Sequence, residues 1–76
     1  MNNTRRRELI RINNALEELK DRVDDVMCEE QDSFNNLTDN LQQTERGQAM
    51  EEVINNLDDA LNAIEEAIDC ISEAAI

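Results

Sequence analysis

The sequence predicts an all-α fold: two long helices form an antiparallel, coiled-coil-like hairpin, and two hairpins dimerise into a four-helix bundle. Three observations predict it. The 76 residues include no Pro and one Gly, so little in the chain interrupts a helix. Aliphatic residues recur at alternating spacings of three and four, which is the helical period. One Asn- and Thr-rich connection separates two such stretches, and residues 1–76 therefore read as a single domain.

The first helix is predicted over residues 4–35, with Thr4 as its N-cap. Its apolar seam continues as far as Met27 and Phe34, and the pattern stops near Asn35. The seam residues at alternating spacings of three and four are Leu9, Ile12, Leu16, Leu19, Val23 and Val26.

The connection is predicted over residues 36–44. Thr38 is a candidate N-cap for a short turn of helix, and Thr44 is a candidate N-cap for the second long helix.

The second helix is predicted over residues 45–75 and carries two apolar rows. The seam row is Met50, Ile54, Leu57, Leu61, Ile64, Ile68 and Ile71. A row of smaller residues at seven-residue spacing lies beside it: Val53, Ala60, Ala67 and Ala74. One narrow stripe on the first helix covers only one side of the second, so we expect the smaller row to be an oligomer interface. A homodimer is the expected assembly.

The net charge of −12 is unevenly distributed. Residues 1–11 hold four Arg and one Glu, a net charge of +3, which leaves −15 for residues 12–76. The most regular acidic residues are pairs in the second helix, predicted to face away from its seam: Glu51, Glu52, Asp58, Asp59, Glu65 and Glu66. Such a surface repels nucleic acid and anionic membranes and attracts basic proteins, so these six residues are the predicted partner-binding site.

No catalytic constellation is present, and we predict no enzyme, no cofactor and no metal site. The chain has no His, and neither Ser33 nor Ser72 has a neighbouring base. The connection also fails the spacing of a calcium-binding EF-hand, because counting from Asp32 places Phe34 where an oxygen ligand belongs.

A hairpin in which Ser33 is level with Glu45 predicts the positions of the cysteines and of the N-terminal arginines. Cys28 and Cys70 are then about 30 Å apart, too far for a disulfide, and free thiols fit a cytoplasmic protein. The same register predicts that Arg5, Arg6, Arg7 and Arg11 lie beside the acidic end of the second helix: Glu65, Glu66, Asp69 and Glu73. The competing interpretation of these arginines is a cluster that binds phosphate or nucleic acid.

The segment TERGQAM contains a candidate anion-binding site, Arg46 and Gly47. Both lie in the first turn of the second helix, where backbone N–H groups favour anions and where Gly costs nearly 1 kcal/mol relative to Ala. The competing interpretation is local. In it, Arg46 pairs with Glu29, Glu30 or Asp32, and Gly47 accommodates the turn.

Residues 29–52, EEQDSFNNLTDNLQQTERGQAMEE, resemble short acidic helical-hairpin proteins encoded in prophages and mobile elements of Gram-positive bacteria. The shared pattern is E-E-Q-(D/E)-x-(F/Y)-x-N-(L/M)-P-x-x-L-Q-x-(S/T)-E-R-G, and Thr38 replaces its Pro. The resemblance implies a phage-derived cytoplasmic protein and implies no particular activity.

Three functions fit these observations. The first is a non-catalytic oligomeric binding module, an anti-defence inhibitor whose acidic residues mask a basic nucleic-acid-binding surface of a host protein. The second is a sponge that holds a small anionic nucleotide near Arg46 and Gly47 at a subunit interface. The third is a purely structural bundle. No apolar run reaches the ~18 residues that span a bilayer, and the N-terminus lacks a secretory h-region, so a cytoplasmic location is expected.

Overall fold

The computed structural model describes residues 1–76 and contains three helices: α1 (Asn3–Asn35), α2 (Asp39–Gln42) and α3 (Glu45–Ala74). There is no strand, so the all-α prediction is confirmed. The two long helices pack antiparallel along their length, and the single turn of α2 contacts α3 at the connection. The result is a rod whose Cα atoms extend 58 × 15 × 12 Å.

Each helix begins with a polar cap. The Oδ1 atom of Asn2 accepts a hydrogen bond of 2.8 Å from the backbone N–H of Arg5, so the predicted cap at Thr4 is wrong. The two caps predicted in the connection are confirmed. Thr38 accepts from the N–H of Leu41, and Thr44 accepts from the N–H of Gly47.

The chain reverses direction at the connection without a proline. Thr38 has φ −65° and ψ 158°, which is the φ that a proline ring would impose. The Nε2 atom of Gln42 donates to the carbonyl oxygens of Phe34 and Leu37, both at 3.2 Å. This one side chain therefore ties α2 both to the last turn of α1 and to the turn that follows it.

The core of the hairpin is small, and α1 is rotated relative to the prediction. Leu61 and Ile68 of α3 are the two buried apolar residues, each 8% exposed. The seam of α1 consists of half-buried residues, among them polar ones: Arg6, Leu9, Asn13, Leu16, Lys20, Val23, Met27, Glu30 and Phe34. The predicted seam residues Ile12, Leu19 and Val26 are instead exposed, by 39%, 46% and 52%.

The register of the two long helices also differs from the prediction, which placed Asn13 level with Glu65. In the structure Asn13 contacts Ile68 and Ser72, and Glu65 pairs with Lys20. One heptad back from Asn13 is Arg6, and one heptad forward from Ile68 is Ala75. The arginine cluster is therefore level with the C-terminal end of α3.

The predicted pairing of the arginine cluster with acidic residues of α3 is accordingly wrong. The structure has two ion pairs, Lys20–Glu65 and Arg11–Glu8, and the second lies within α1. Glu66, Asp69 and Glu73 have no cationic partner.

Candidate functional site

One side of the hairpin is an open apolar surface, which we call the apolar face. On α1 it consists of Ile12, Leu19 and Val26, and on α3 it consists of Val53, Ala60, Ala67 and Ala74. All seven side chains are exposed, and both rows have the seven-residue spacing that keeps residues on one side of a helix. The sequence pattern had placed the three residues of α1 in the seam, so their share of this surface was not predicted.

A groove runs between the two rows of the apolar face. It has a volume of about 550 Å³ and is lined by Leu19, Arg22, Val23, Val26, Leu57 and Ile64. Ala60 lies three residues after Leu57, and Ala67 lies three residues after Ile64, so the alanines border the groove on the α3 side. The predicted interface row is thus exposed beside the groove.

The opposite side of the hairpin is polar, and we call it the back face. Asn13 donates through Nδ2 to the carbonyl of Ile68 at 3.2 Å and to Oγ of Ser72 at 2.9 Å. Lys20 Nζ lies 3.6 Å from Oε1 of Glu65. These cross-helix contacts fix the register on the back face, and they leave the apolar face without polar contacts between the helices.

The six predicted partner-binding acids, which form three adjacent pairs on α3, are all exposed. Glu65 lies nearer the seam than predicted, because its carboxylate reaches Lys20. The first members of the three pairs share that side of α3 by their seven-residue spacing, and the second members lie one residue further round the helix. Five of the six carboxylates have no cationic partner, so this part of α3 presents charge of one sign to solvent.

The structure accounts for Gly47 by local packing but does not show the ion pairs predicted for Arg46. Gly47 is buried, and a β-carbon added to it would lie 2.7 Å from Cα of Gln42 and still nearer the carbonyl group of that residue. Its N–H already donates to Oγ1 of Thr44. The local interpretation therefore explains Gly47, whereas the predicted pairs of Arg46 with Glu29, Glu30 or Asp32 are absent.

Both cysteines are exposed and free. The carboxylate of Asp24, one turn before Cys28 on α1, raises the pKa of the Cys28 thiol. Partial dehydration and the carboxylates of Asp32 and Asp25 raise it further. Because the thiolate is the reactive form, these acidic surroundings make Cys28 a weak nucleophile at neutral pH.

No group of His, Cys, Asp or Glu side chains is arranged to hold a metal ion. None of the helices combines the length and the apolar character that crossing a membrane requires. Comparison of the chain with protein-family models, with curated proteins and with solved structures gave no match.

Proposed function

We propose that the chain is a non-catalytic binding module that works as a pair of hairpins joined into a four-helix bundle. The apolar face supports the pairing. Two buried apolar residues contribute little against the cost of ordering a chain of this length. Val53, Leu19 and Val26 remain 44–52% exposed on one side of the hairpin. A second copy placed there would turn the exposed rows into a shared core.

The partner that we propose is a basic protein surface, bound by the acidic residues of α3. The observation that carries this proposal is the run of six exposed carboxylates with one ion pair among them. They cover about 22 Å of helix axis at ~1.5 Å per residue, or about one charge every 4 Å. One strand of DNA carries one charge per ~3.4 Å of axis. The linear charge density of this surface therefore approaches that of one nucleic-acid strand and is about half that of a duplex, which carries one charge per ~1.7 Å.

Such a module would compete with nucleic acid for its target. If the gene lies in a prophage or mobile element, as the resemblance implies, the target would be a host protein and the module a cytoplasmic anti-defence inhibitor. Electrostatic complementarity of this kind accelerates association and is weakened by salt.

A displacement assay tests the proposed partner. The purified chain is titrated into complexes of labelled duplex DNA with a panel of basic nucleic-acid-binding domains, at low and at physiological salt. We expect displacement from at least one domain, and we expect a variant with Glu51, Glu52, Asp58 and Asp59 changed to Lys to lose it.

The matched control reverses four acids of α1: Glu17, Asp21, Asp24 and Asp25. Its net charge equals that of the α3 variant, so a specific site on α3 predicts that it retains displacement. If both variants lost displacement equally, net charge rather than a site on α3 would explain the displacement. If the wild-type chain displaced DNA from no domain, a purely structural bundle would be the better description.

A further inference from the structure

We infer that the apolar face binds a second copy of the chain in one particular orientation, face to face with the two connections at opposite ends. This inference rests on the proposed pairing of hairpins. It specifies the symmetry of the pair and the ion pairs that hold it in register.

The exposed surface matches what a dimer would bury. The hairpin exposes 5768 Å², whereas a compact monomer of 8.7 kDa exposes about 4,700 Å², which leaves an excess of about 1,000 Å². A standard interface buries about 800 Å² on each partner. Covering the apolar face with one further copy would therefore remove most of the excess.

Both apolar rows are symmetric about the same level of the rod. The row on α1 is centred on Leu19, and the row on α3 is centred between Ala60 and Ala67, next to Ile64. Leu19 and Ile64 line the same groove, so the two centres lie side by side. A two-fold axis that crosses both helices at this level maps each row onto itself, as an isologous interface requires.

This axis sets α1 against α1 and α3 against α3 of the second copy. Leu19 then faces its own counterpart, Ile12 faces Val26, and Ala60 faces Ala67. Because the row on α3 is small and uncharged, two strongly acidic helices can approach closely along it. Their carboxylates would stay on the outer surface of the bundle.

Four of the charges along the edge of the apolar face are complementary to their counterparts in the second copy about the same axis. Arg22 lines the groove and forms no ion pair within its own chain. It belongs to a line on α1 with spacings of seven, four and seven residues: Arg11, Glu18, Arg22 and Glu29. The line is centred on Lys20, one residue from Leu19, so the axis exchanges Glu18 with Arg22 and Arg11 with Glu29. Opposite charges therefore meet at these four positions. The two seven-residue rows that contain them also place Glu8 against Asp32, which are both acidic, and Asp25 against the uncharged Ala15, so attractive pairs outnumber repulsive ones by two to one.

The opposite orientation, with both connections at one end, lacks this complementarity. It would set α1 against α3 of the second copy, whose bordering row carries no charge to pair with Arg22. It would also bring the two N-terminal arginine clusters to the same end. The inferred orientation instead brings each cluster to the end of the partner that carries Glu29, Glu30 and Asp32.

Charge exchange tests the orientation. In a pair of Glu18→Arg chains, the side chains at positions 18 and 22 of both copies are positive. In a pair of Arg22→Glu chains, the same four side chains are negative. We expect each variant alone to associate about tenfold more weakly than the wild type by sedimentation equilibrium, since two attractive pairs become repulsive. We expect an equimolar mixture of the two, and the double variant E18R/R22E, to recover wild-type association.

Weaker association of Glu18→Arg could not be explained by its change in net charge. Glu18→Arg lowers the net negative charge, which by itself would strengthen association of two acidic chains. The matched control is Glu17→Arg, which makes the same charge change at a residue of the back-face groove. It should associate at least as tightly as the wild type does, and mixing it with Arg22→Glu should not restore the association that Arg22→Glu loses.

The outcomes separate the two proposals. If the wild type pairs but the mixture recovers nothing, or if Glu18→Arg pairs as well as the control, the orientation is wrong and the pairing of hairpins stands. If the wild type sediments as a single folded copy at tens of micromolar, the pairing itself is wrong and the orientation fails with it.

Discussion

Asn13 of α1 and Ser72 of α3 are joined by a hydrogen bond of 2.9 Å from Nδ2 to Oγ, across the ends of the two long helices. The same amide donates to the carbonyl of Ile68 at 3.2 Å. Asn13 occupies a seam position between Leu9 and Leu16, where a single polar residue can specify the register of a helical pair at a cost in stability. The cost is visible in its Oδ1 atom, which is buried without a hydrogen-bond partner.

Replacing this amide with an apolar side chain should stabilise the hairpin. Asn13→Leu removes the unsatisfied Oδ1 atom, whose burial costs about 1–3 kcal/mol, and packs against Ile68. We expect the melting temperature to rise by about 4–8 °C, measured by circular dichroism at fixed concentration. Asn14→Leu, at an exposed neighbouring position, is the control and should change little. A lower melting temperature for Asn13→Leu would mean that its two donated hydrogen bonds outweigh the orphan oxygen.

Gly47→Ala should destabilise the connection although alanine is the better helix former. The new β-carbon would overlap the backbone of Gln42. Moving that backbone costs about 3 kcal/mol, and the gain in helix propensity offsets about 1 kcal/mol. We expect the free energy of unfolding in urea to fall by about 2 kcal/mol. Gln48→Ala, on the exposed side of the same turn, should be neutral, and equal stability of the two variants would contradict the steric argument.

A charge on the apolar face should prevent pairing, whereas the same charge elsewhere should not. Leu19 and Ile10 are 46% and 53% exposed, but Leu19 lines the groove of the apolar face and Ile10 lines that of the back face. We expect the melting temperature of the wild type and of Ile10→Lys to rise with protein concentration, as it does for associating chains. For Leu19→Lys we expect no such rise. The same behaviour in both lysine variants would rule out the apolar face as the pairing surface.

The thiol of Cys28 should become more reactive when Asp24 is neutralised. Asp24 is the largest cause of the raised pKa of Cys28, so Asp24→Asn should lower that pKa towards its usual value and increase the thiolate fraction at mildly alkaline pH. The measurement is the rate of reaction with a disulfide reagent as a function of pH, in a Cys70→Ser background. Asp21→Asn, which removes an acid that does not act on Cys28, should leave the profile unchanged.

Nucleotides should not bind at the start of α3. An anion there would have to compete with Oγ1 of Thr44 for the N–H of Gly47, in a turn that the backbone of Gln42 already fills. We expect calorimetry with cyclic and linear nucleotides to show no saturable heat, and Arg46→Ala to change nothing. Saturable binding that is lost in Arg46→Ala would instead support the nucleotide-sponge function.

The local features of this fold could be predicted because local chemistry determines them. A threonine before an acidic residue at the start of a periodic stretch predicts a cap, and both Thr38 and Thr44 are caps. The cap at Asn2 was missed because Asn2 and Thr4 both have side chains suited to the role and are only two residues apart.

The rotation of α1 could not be predicted because two adjacent rows on it fit the helical period equally well. The row with Ile12, Leu19 and Val26 is the more apolar of the two, since the alternative includes Asn13 and Lys20. In the structure the side chain of Lys20 is half-buried, and its ammonium group reaches Glu65 of α3. That rotation exposes the apolar row of α1 on the same side as the alanines, and so it also determines the candidate site.

The 58 × 15 Å outline of the hairpin affects how its mass must be measured. Its radius of gyration is 17.2 Å, whereas a globular chain of this length has about 11 Å. A single rod would therefore elute from a gel-filtration column like a globular protein of larger mass, and a side-by-side pair, thicker but hardly longer, would elute only slightly earlier. Light scattering and equilibrium ultracentrifugation give mass independently of shape, and they are the methods that distinguish one copy from two.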